Sequence, residues 1–199
     1  MQPCLLIASN NQNKVRELRE ILHNVPVSMV SPMDAGIDVQ VEETGRTYAT
    51  NARQKALAFA RASGMIALAD DSGLEVAALG GAPGVYSARY AGEGASSAER
   101  IALLLRNLDG IPWEQRQARF VAVIAIATPA GVVCCCRGSV RGVIMSAPQG
   151  TGGFGYDPVF YMPAYGCTMA ELPSEIKNRV SHRARAALRA APIIAALCR

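Results

Sequence analysis

The chain is expected to fold as an α/β domain with a mixed central β-sheet flanked by helices, in two lobes. Three observations predict the class. Short apolar runs alternate with amphipathic helical stretches in the first third, a hairpin pattern interrupts them in the middle, and helix-start signals return at the C-terminus. A chain of 199 residues is expected to be a single domain over 1–199. At that size about 70% of the unfolded surface can be buried, so no metal or disulfide staple is needed. Half the residues are hydrophobic and 18% are charged, which excludes a disordered chain. No apolar run approaches the about 20 residues of a spanning helix.

The elements follow in order. Residues 4–8 (CLLIA) form a short buried strand. Ser9 and Gln12 stand at capping-box spacing, and Val15, Leu18, Ile21 and Leu22 mark one face of a helix to about residue 23. Residues 47–63 form an alanine-rich helix ending before Gly64, and 65–69 (MIALA) a second buried strand. Ser96 and Glu99 repeat the capping-box spacing before a helix that Asp109-Gly110 stops. Residues 118–128 and 132–137 pair as a hairpin around Pro129-Ala130-Gly131, and 139–145 are expected as a further strand. A glycine-rich loop at 147–158 leads to a short strand at 159–161. The C-terminus is helical, with Ser174 and Ser181 as N-caps, and Pro192 is expected to kink or break the last helix.

Charge and cysteine usage narrow the function. The net charge is +4, and the last 26 residues hold six basic side chains and one acid. They carry +5 against −1 for the rest, which suggests an anionic ligand without saying which. The six cysteines lack a CxxC pattern, and Cys134, Cys135 and Cys136 are consecutive. They are read as reduced apolar filler in a cytoplasmic protein, since disulfides belong to oxidising compartments. The N-terminus has no basic segment ahead of an apolar one, so no secretory signal is expected.

Four segments place polar residues where packing alone does not ask for them. Ser9-Asn10-Asn11-Gln12-Asn13-Lys14 joins a buried strand to a helix, and a helix N-terminus with a lysine suits phosphates. It lacks the glycines of a Walker A loop, and an ordinary polar turn has the same pattern. Asp70-Asp71-Ser72-Gly73 follows a strand at the usual ligand end of open α/β sheets. Two carboxylates there can hold Mg²⁺ or take a proton from water, and can equally be a solvated Asx-turn. Gly150 to Pro158 carries Phe154 and Tyr156 on a glycine-rich loop, a stacking platform for a base or a plain connection. Lys177, with Ser181-His182-Arg183, is the fourth, and a helix cap with surface charges is its plain reading. Glu42-Glu43 and Lys55 add a weaker acidic and basic pair.

Together these segments resemble the inosine triphosphate pyrophosphatases, the enzymes of non-canonical purine nucleoside triphosphates. The carrying motifs are SNNQNKVRE at 9–17, EETG at 42–45, NARQKA at 51–56 and ADDSGLEV at 69–76. LGGAPGVYSARYAG at 79–92, GTGGFGYDPVF at 150–160 and SEIKNRVSHR at 174–183 complete them, in the family order and over nearly the whole chain. The resemblance implies hydrolysis of ITP, dITP and XTP to the monophosphate and pyrophosphate, with Mg²⁺, in a nucleotide cleft between two lobes. It implies a homodimer with no nucleic-acid or membrane partner. Ser9, Asn10, Asn11, Gln12, Asn13 and Lys14 match the phosphate-binding turn, and Lys55 a lysine near the phosphates. Asp71 matches the proton acceptor, Glu42 and Asp71 the metal carboxylates, and Ser72 a substrate contact. Phe154, Gly155, Tyr156, Asp157, Lys177, His182 and Arg183 match base-binding residues. Asn10 stands where the family usually has glycine, and asparagine tolerates a left-handed turn better than most residues.

Two other readings stay open on the residues alone. One is a related hydrolase of modified pyrimidine nucleotides. The other is a nucleotide- or RNA-binding protein without catalysis, which Glu42, Asp71 and Lys14 together disfavour.

Overall fold

Cys4–Ile7 forms strand β1, in which Leu5, Leu6 and Ile7 are fully buried. The structure is a computed structural model describing residues 3–198; Met1, Gln2 and Arg199, the last counted in the basic segment, lie outside them. β1 lies between two parallel neighbours, β2 (Ser28–Val30) and β3 (Ile66–Val76). Strands of this kind are covered on both faces, so their sequence reads as a continuous apolar run without alternation. Helix α1 (Gln12–Ile21) connects β1 to β2, and α2 (Tyr48–Ser63) connects β2 to β3. Helix α3 (Ser97–Asn107) precedes β4 (Gln117–Thr128), and a two-residue turn joins β4 to β5 (Gly131–Ile144). β6 (Phe160–Met162) and β7 (Cys167–Thr168) add antiparallel, giving a seven-stranded sheet ordered β2-β1-β3-β4-β5-β6-β7. Helices α4 (Ser174–Val180) and α5 (His182–Leu197) finish the chain. No helix among the described residues is long and apolar enough to cross a membrane.

Two compact units are distinguished. The first holds residues to Asp71, 122–138 and from Ser181 onward. Its core joins Leu5 and Ile7 of β1, Val15 and Leu18 of α1, Ile124 and Ile126 of β4, and an alanine face of α5. The second holds 72–121 and 139–180. Its core joins Leu74, Ile101, Leu104, Val159 and the Phe120–Phe160 ring pair, whose centroids are 4.4 Å apart.

Several expectations need correction. The cap of α1 is Asn11, whose side chain accepts from the Asn13 and Lys14 amides; Ser9 instead accepts from the Asn11 amide. No non-glycine residue described has positive φ, so the turn forms without a left-handed Asn10. β3 does not stop at residue 69 but runs through Asp70-Asp71-Ser72-Gly73 to Val76. β5 is one strand, not two, because Gly138 lets it pass close to α5: a Cβ there would lie 2.1 Å from the His182 carbonyl oxygen. Ser174 is the first helical residue of α4, with the Pro173 carbonyl accepting from the Ile176 and Lys177 amides. Pro192 does not break α5, which continues to Leu197 with Ala187, Ala190 and Ile194 fully buried around it. Packing of that face outweighs the single hydrogen bond proline removes. The short strands β2 and β7 had no sequence signal.

Candidate functional site

Strand alternation decides what the first acidic pair does. Successive side chains of a strand face opposite sides. The Asp70 carboxylate is fully enclosed, with its Oδ2 taking Lys14 Nζ at 2.9 Å, Arg183 Nη2 at 3.2 Å and Arg183 Nε at 3.3 Å. Burial alone would raise the Asp70 carboxyl, but Lys14 and Arg183 overcome it and hold the group far below the usual carboxylate range. Arg183 is 2% exposed and gives its Nη1 to Glu17 Oε2 at 2.6 Å.

Asp71 belongs to a different cluster. Its Oδ2 accepts from Asn51 Nδ2 at 3.1 Å, and its Oδ1 lies 3.7 Å from Lys55 Nζ. Burial raises the Asp71 carboxyl above its ordinary value despite the opposing pull of Lys55 and Lys14. Such a group is a better proton acceptor than a solvated aspartate. Lys55 also donates to Glu43 Oε1 at 2.7 Å and to the Asp70 carbonyl at 3.0 Å. Desolvation opposes its charge, yet Asp71 and Glu43 raise its pKa and keep it an ammonium. Asn51 fixes the acidic loop as well, accepting from the Gly45 amide at 2.8 Å. Gly45 is needed there, since a Cβ would meet Asn51 Oδ1 at 2.3 Å.

Glu42, expected as the metal carboxylate, is exposed, and its neighbour Glu43 is the acid that faces Lys55 and Asp71. Two hard oxygen donors, Asp71 and Glu43, thus converge on one ammonium. Among the described residues no group of three or more histidine, cysteine, aspartate or glutamate side chains gathers as a closed metal cage. An open two-carboxylate set fits Mg²⁺, which keeps waters and shares substrate phosphate oxygens. At the start of α1, Asn10, Asn11 and Gln12 are exposed, and Ser9, Asn13 and Lys14 half-buried, around the first-turn amides. His182, buried, opens α5 behind the N-cap Ser181.

The second unit carries its own set. Asp157 Oδ2 accepts from the Phe154 amide at 2.9 Å and from Lys177 Nζ at 2.6 Å. Lys177, 4% exposed, stands 5.1 Å over the Phe154 ring, a cation–π contact. One buried ion pair thereby fixes both the backbone and the ring of the loop. Tyr156 donates to the Ser87 carbonyl at 2.9 Å, and burial pushes its phenol up so that it stays a donor. Ser87 accepts from the Leu74 amide at 2.8 Å, tying the LGGAPGVYS segment to the same loop. Ser72 is half-buried on β3, and Gly155 takes φ +66°.

Gly153 has φ +68°, and a Cβ on it would meet Asp157 Oδ2 at 2.1 Å and Lys177 Nζ at 2.8 Å. Gly155 shares the positive φ but has open space around it. Gly155→Ala is expected to cost about 1–2 kcal/mol, lowering the melting temperature by about 3–8 °C. Gly153→Ala must add the displacement of the ion pair and fall further. Equal shifts in thermal denaturation would show that the Asp157–Lys177 pair is not held by this glycine.

Sequence reasoning gave no role to Glu17 or Asn51, and noted Glu43 only as part of the acidic pair with Glu42. Asn51 left a trace as a polar residue on the buried face of α2 beside Tyr48 and Ala52.

The Ham1 family model matches residues 5–192. The dITP/XTP pyrophosphatase of Geobacter sulfurreducens is 50% identical over 182 residues, covering 92% of each chain. That of Desulforamulus reducens is 51% identical over 190 residues, covering 96% of this chain and 94% of its own. The solved Ham1 protein from Coxiella burnetii superposes with a TM-score of 0.86 at 39% identity, covering 98% of both chains. The Staphylococcus aureus Ham1 protein gives 0.85 at 40% identity, covering 98% and 99%.

Proposed function

The chain belongs to the Ham1 family, and on that premise we propose that it hydrolyses ITP, dITP and XTP to the monophosphate and pyrophosphate. The observation that carries the reading is the pairing of a desolvated carboxylate, Asp71, with Lys55 and Lys14 beside a capped helix start. A pure binder of anions gains nothing from a buried carboxylate next to phosphates.

Water must attack the α-phosphorus while the pyrophosphate leaves. Asp71 accepts the proton of the attacking water, since burial favours its protonated form. Lys14, Lys55 and the first-turn amides of α1 hold the triphosphate and its leaving charge, with Ser9, Asn10, Asn11, Gln12 and Asn13 forming the turn around them. Asp71 and Glu43 would hold Mg²⁺, which when bound would supply neutralisation of phosphate oxygens and a lowered pKa of bound water. Glu42, exposed on the same loop, is the other carboxylate proposed for that metal. The base is assigned to the loop that carries Phe154 and Tyr156. Phe154 offers a stacking face, fixed by Asp157 and Lys177, and Gly155 and Tyr156 offer backbone groups. Ser72 and His182 complete the proposed substrate contacts. A base with an acceptor oxygen at position 6 suits a donor-lined pocket, and adenine, which presents an amino group there, leaves a donor unpaired.

The test is pyrophosphate release from ITP, dITP, XTP, dUTP, GTP and ATP with and without Mg²⁺. ITP, dITP and XTP are expected to turn over, and only with the metal. Release from none of the panel would overturn the reading, and strong preference for dUTP would replace it with a pyrimidine activity.

A further inference from the structure

Cys134 and Cys136 stand two residues apart on β5, so strand alternation sends both side chains to one face. That face packs against the core of the first unit, and both cysteines are half-buried at its edge. Their thiols meet, with Cys136 within hydrogen-bonding reach of Cys134. Cys135 turns to the opposite face, is exposed, and lies in the field of Arg53 on α2. Helix α5 packs on the thiol face. Two residues beyond Cys136, a Cβ on Gly138 would meet the Arg185 Cβ of that helix at 2.9 Å. One helical turn later, Arg189 donates to the Arg137 carbonyl, next to Cys136 in the chain. The thiol pair thus lies beneath a stretch of α5 with two exposed arginines, neither of them used by the nucleotide site.

The strand decides what such a pair can do. Residues i and i+2 of an extended chain have Cα atoms about 6.8 Å apart, at the outer limit of disulfide geometry. Burial and the neighbouring Cys136 push the Cys134 thiol up to about 11, so it stays protonated near neutrality and is a poor nucleophile. A linear two-thiolate site asks less of the backbone. Two metal–sulfur bonds of about 2.3 Å hold the sulfurs about 4.6 Å apart, a spacing that side chains on one strand face reach by rotation alone. Among the described residues no histidine, cysteine or carboxylate joins the pair as a third ligand. Zn²⁺ takes four ligands, whereas soft monovalent ions are held by thiolates in smaller sets.

We propose that Cys134 and Cys136 form a binding site for a soft monovalent cation of the Cu⁺ class. Cu⁺ and two thiols give one bis-thiolate complex of charge −1 and two protons released to solvent, with no change of oxidation state. Arg185 and Arg189 of α5 supply positive charge on the side of that anion. The site is separate from the nucleotide chemistry and does not depend on the pyrophosphatase reading.

The full-length protein is titrated with Cu⁺ under anaerobic conditions, in competition with the chromogenic chelator bicinchoninate. Cys134→Ser and Cys136→Ser are each expected to bind one tight equivalent fewer than wild type, and Cys135→Ser the same number. The affinity lost at the site is expected to be at least about 100-fold, since removing even an outer partner of a metal ligand costs about 10–100-fold. Copper held by Cys4, Cys167 or Cys198 is common to all four proteins and cancels in the comparison. X-ray absorption of wild type loaded with one equivalent is expected to show two sulfur neighbours. Three sulfur neighbours, an equivalent lost in Cys135→Ser, or one retained in both Cys134→Ser and Cys136→Ser would overturn the proposal. Should one of those two serine variants not fold, the other decides.

Discussion

Asp71→Asn is expected to lower turnover of ITP by about 10³-fold, within the range by which a positioned base accelerates proton transfer. Asparagine keeps the shape and still meets Asn51 and Lys55, but its amide cannot take a proton from water. ITP binding is expected to stay within a few-fold, because Lys14, the α1 amides and the Phe154 loop are untouched. Pyrophosphate release and calorimetric binding of ITP read the two quantities separately. Full activity in this variant would remove Asp71 from the chemistry. The adjacent substitution Asp70→Asn supplies the contrast. It strands Arg183 and Lys14 around a neutral group, so its main effect is on melting temperature.

That contrast marks what the sequence could and could not convey. The run MIALADDSG announced a strand with acids at its end. Stopping the strand at residue 69 made the two aspartates equivalent loop residues. Extended backbone through Asp71 makes them opposite, one locked between Arg183 and Lys14, the other facing Asn51 and Lys55. A similar one-residue ambiguity separated Glu42 from Glu43. The motif places an acidic pair near Lys55, and Glu43 is the acid that meets Lys55, in a loop whose Gly45 amide is bonded to Asn51 of α2. The helices α3 and α5 were legible because their caps Ser96 and Ser181 are local signals, and α2 because Gly64 ends its alanine-rich run. The buried ion pairs were not, since Arg183 reaches Glu17 across 166 residues of chain. A basic C-terminal segment suggests an anionic ligand, but the acids that enclose Lys177 and Arg183, namely Asp157, Glu17 and Asp70, are visible only in the fold.

Arg183→Met follows from the same enclosure. Methionine fills a similar volume without charge, and leaves Asp70 and Glu17 buried without the guanidinium that both face. Breaking a buried pair by removing one partner costs about 3–5 kcal/mol, which lowers the melting temperature of a chain this size by about 10 °C or more. Arg183→Met with Glu17→Met is expected to recover part of the loss, because an apolar replacement of both partners removes the stranded carboxylate. The pH dependence has a fixed sign. The Asp70 carboxyl is held below its ordinary value of 3.8, so its share of stability is present above that value and is lost as pH falls further. The gap in melting temperature between wild type and Arg183→Met should therefore be widest near neutrality and close on acidification below about pH 4. A gap that stays constant into strong acid would mean that the loss comes from packing around the guanidinium and not from the Asp70 charge.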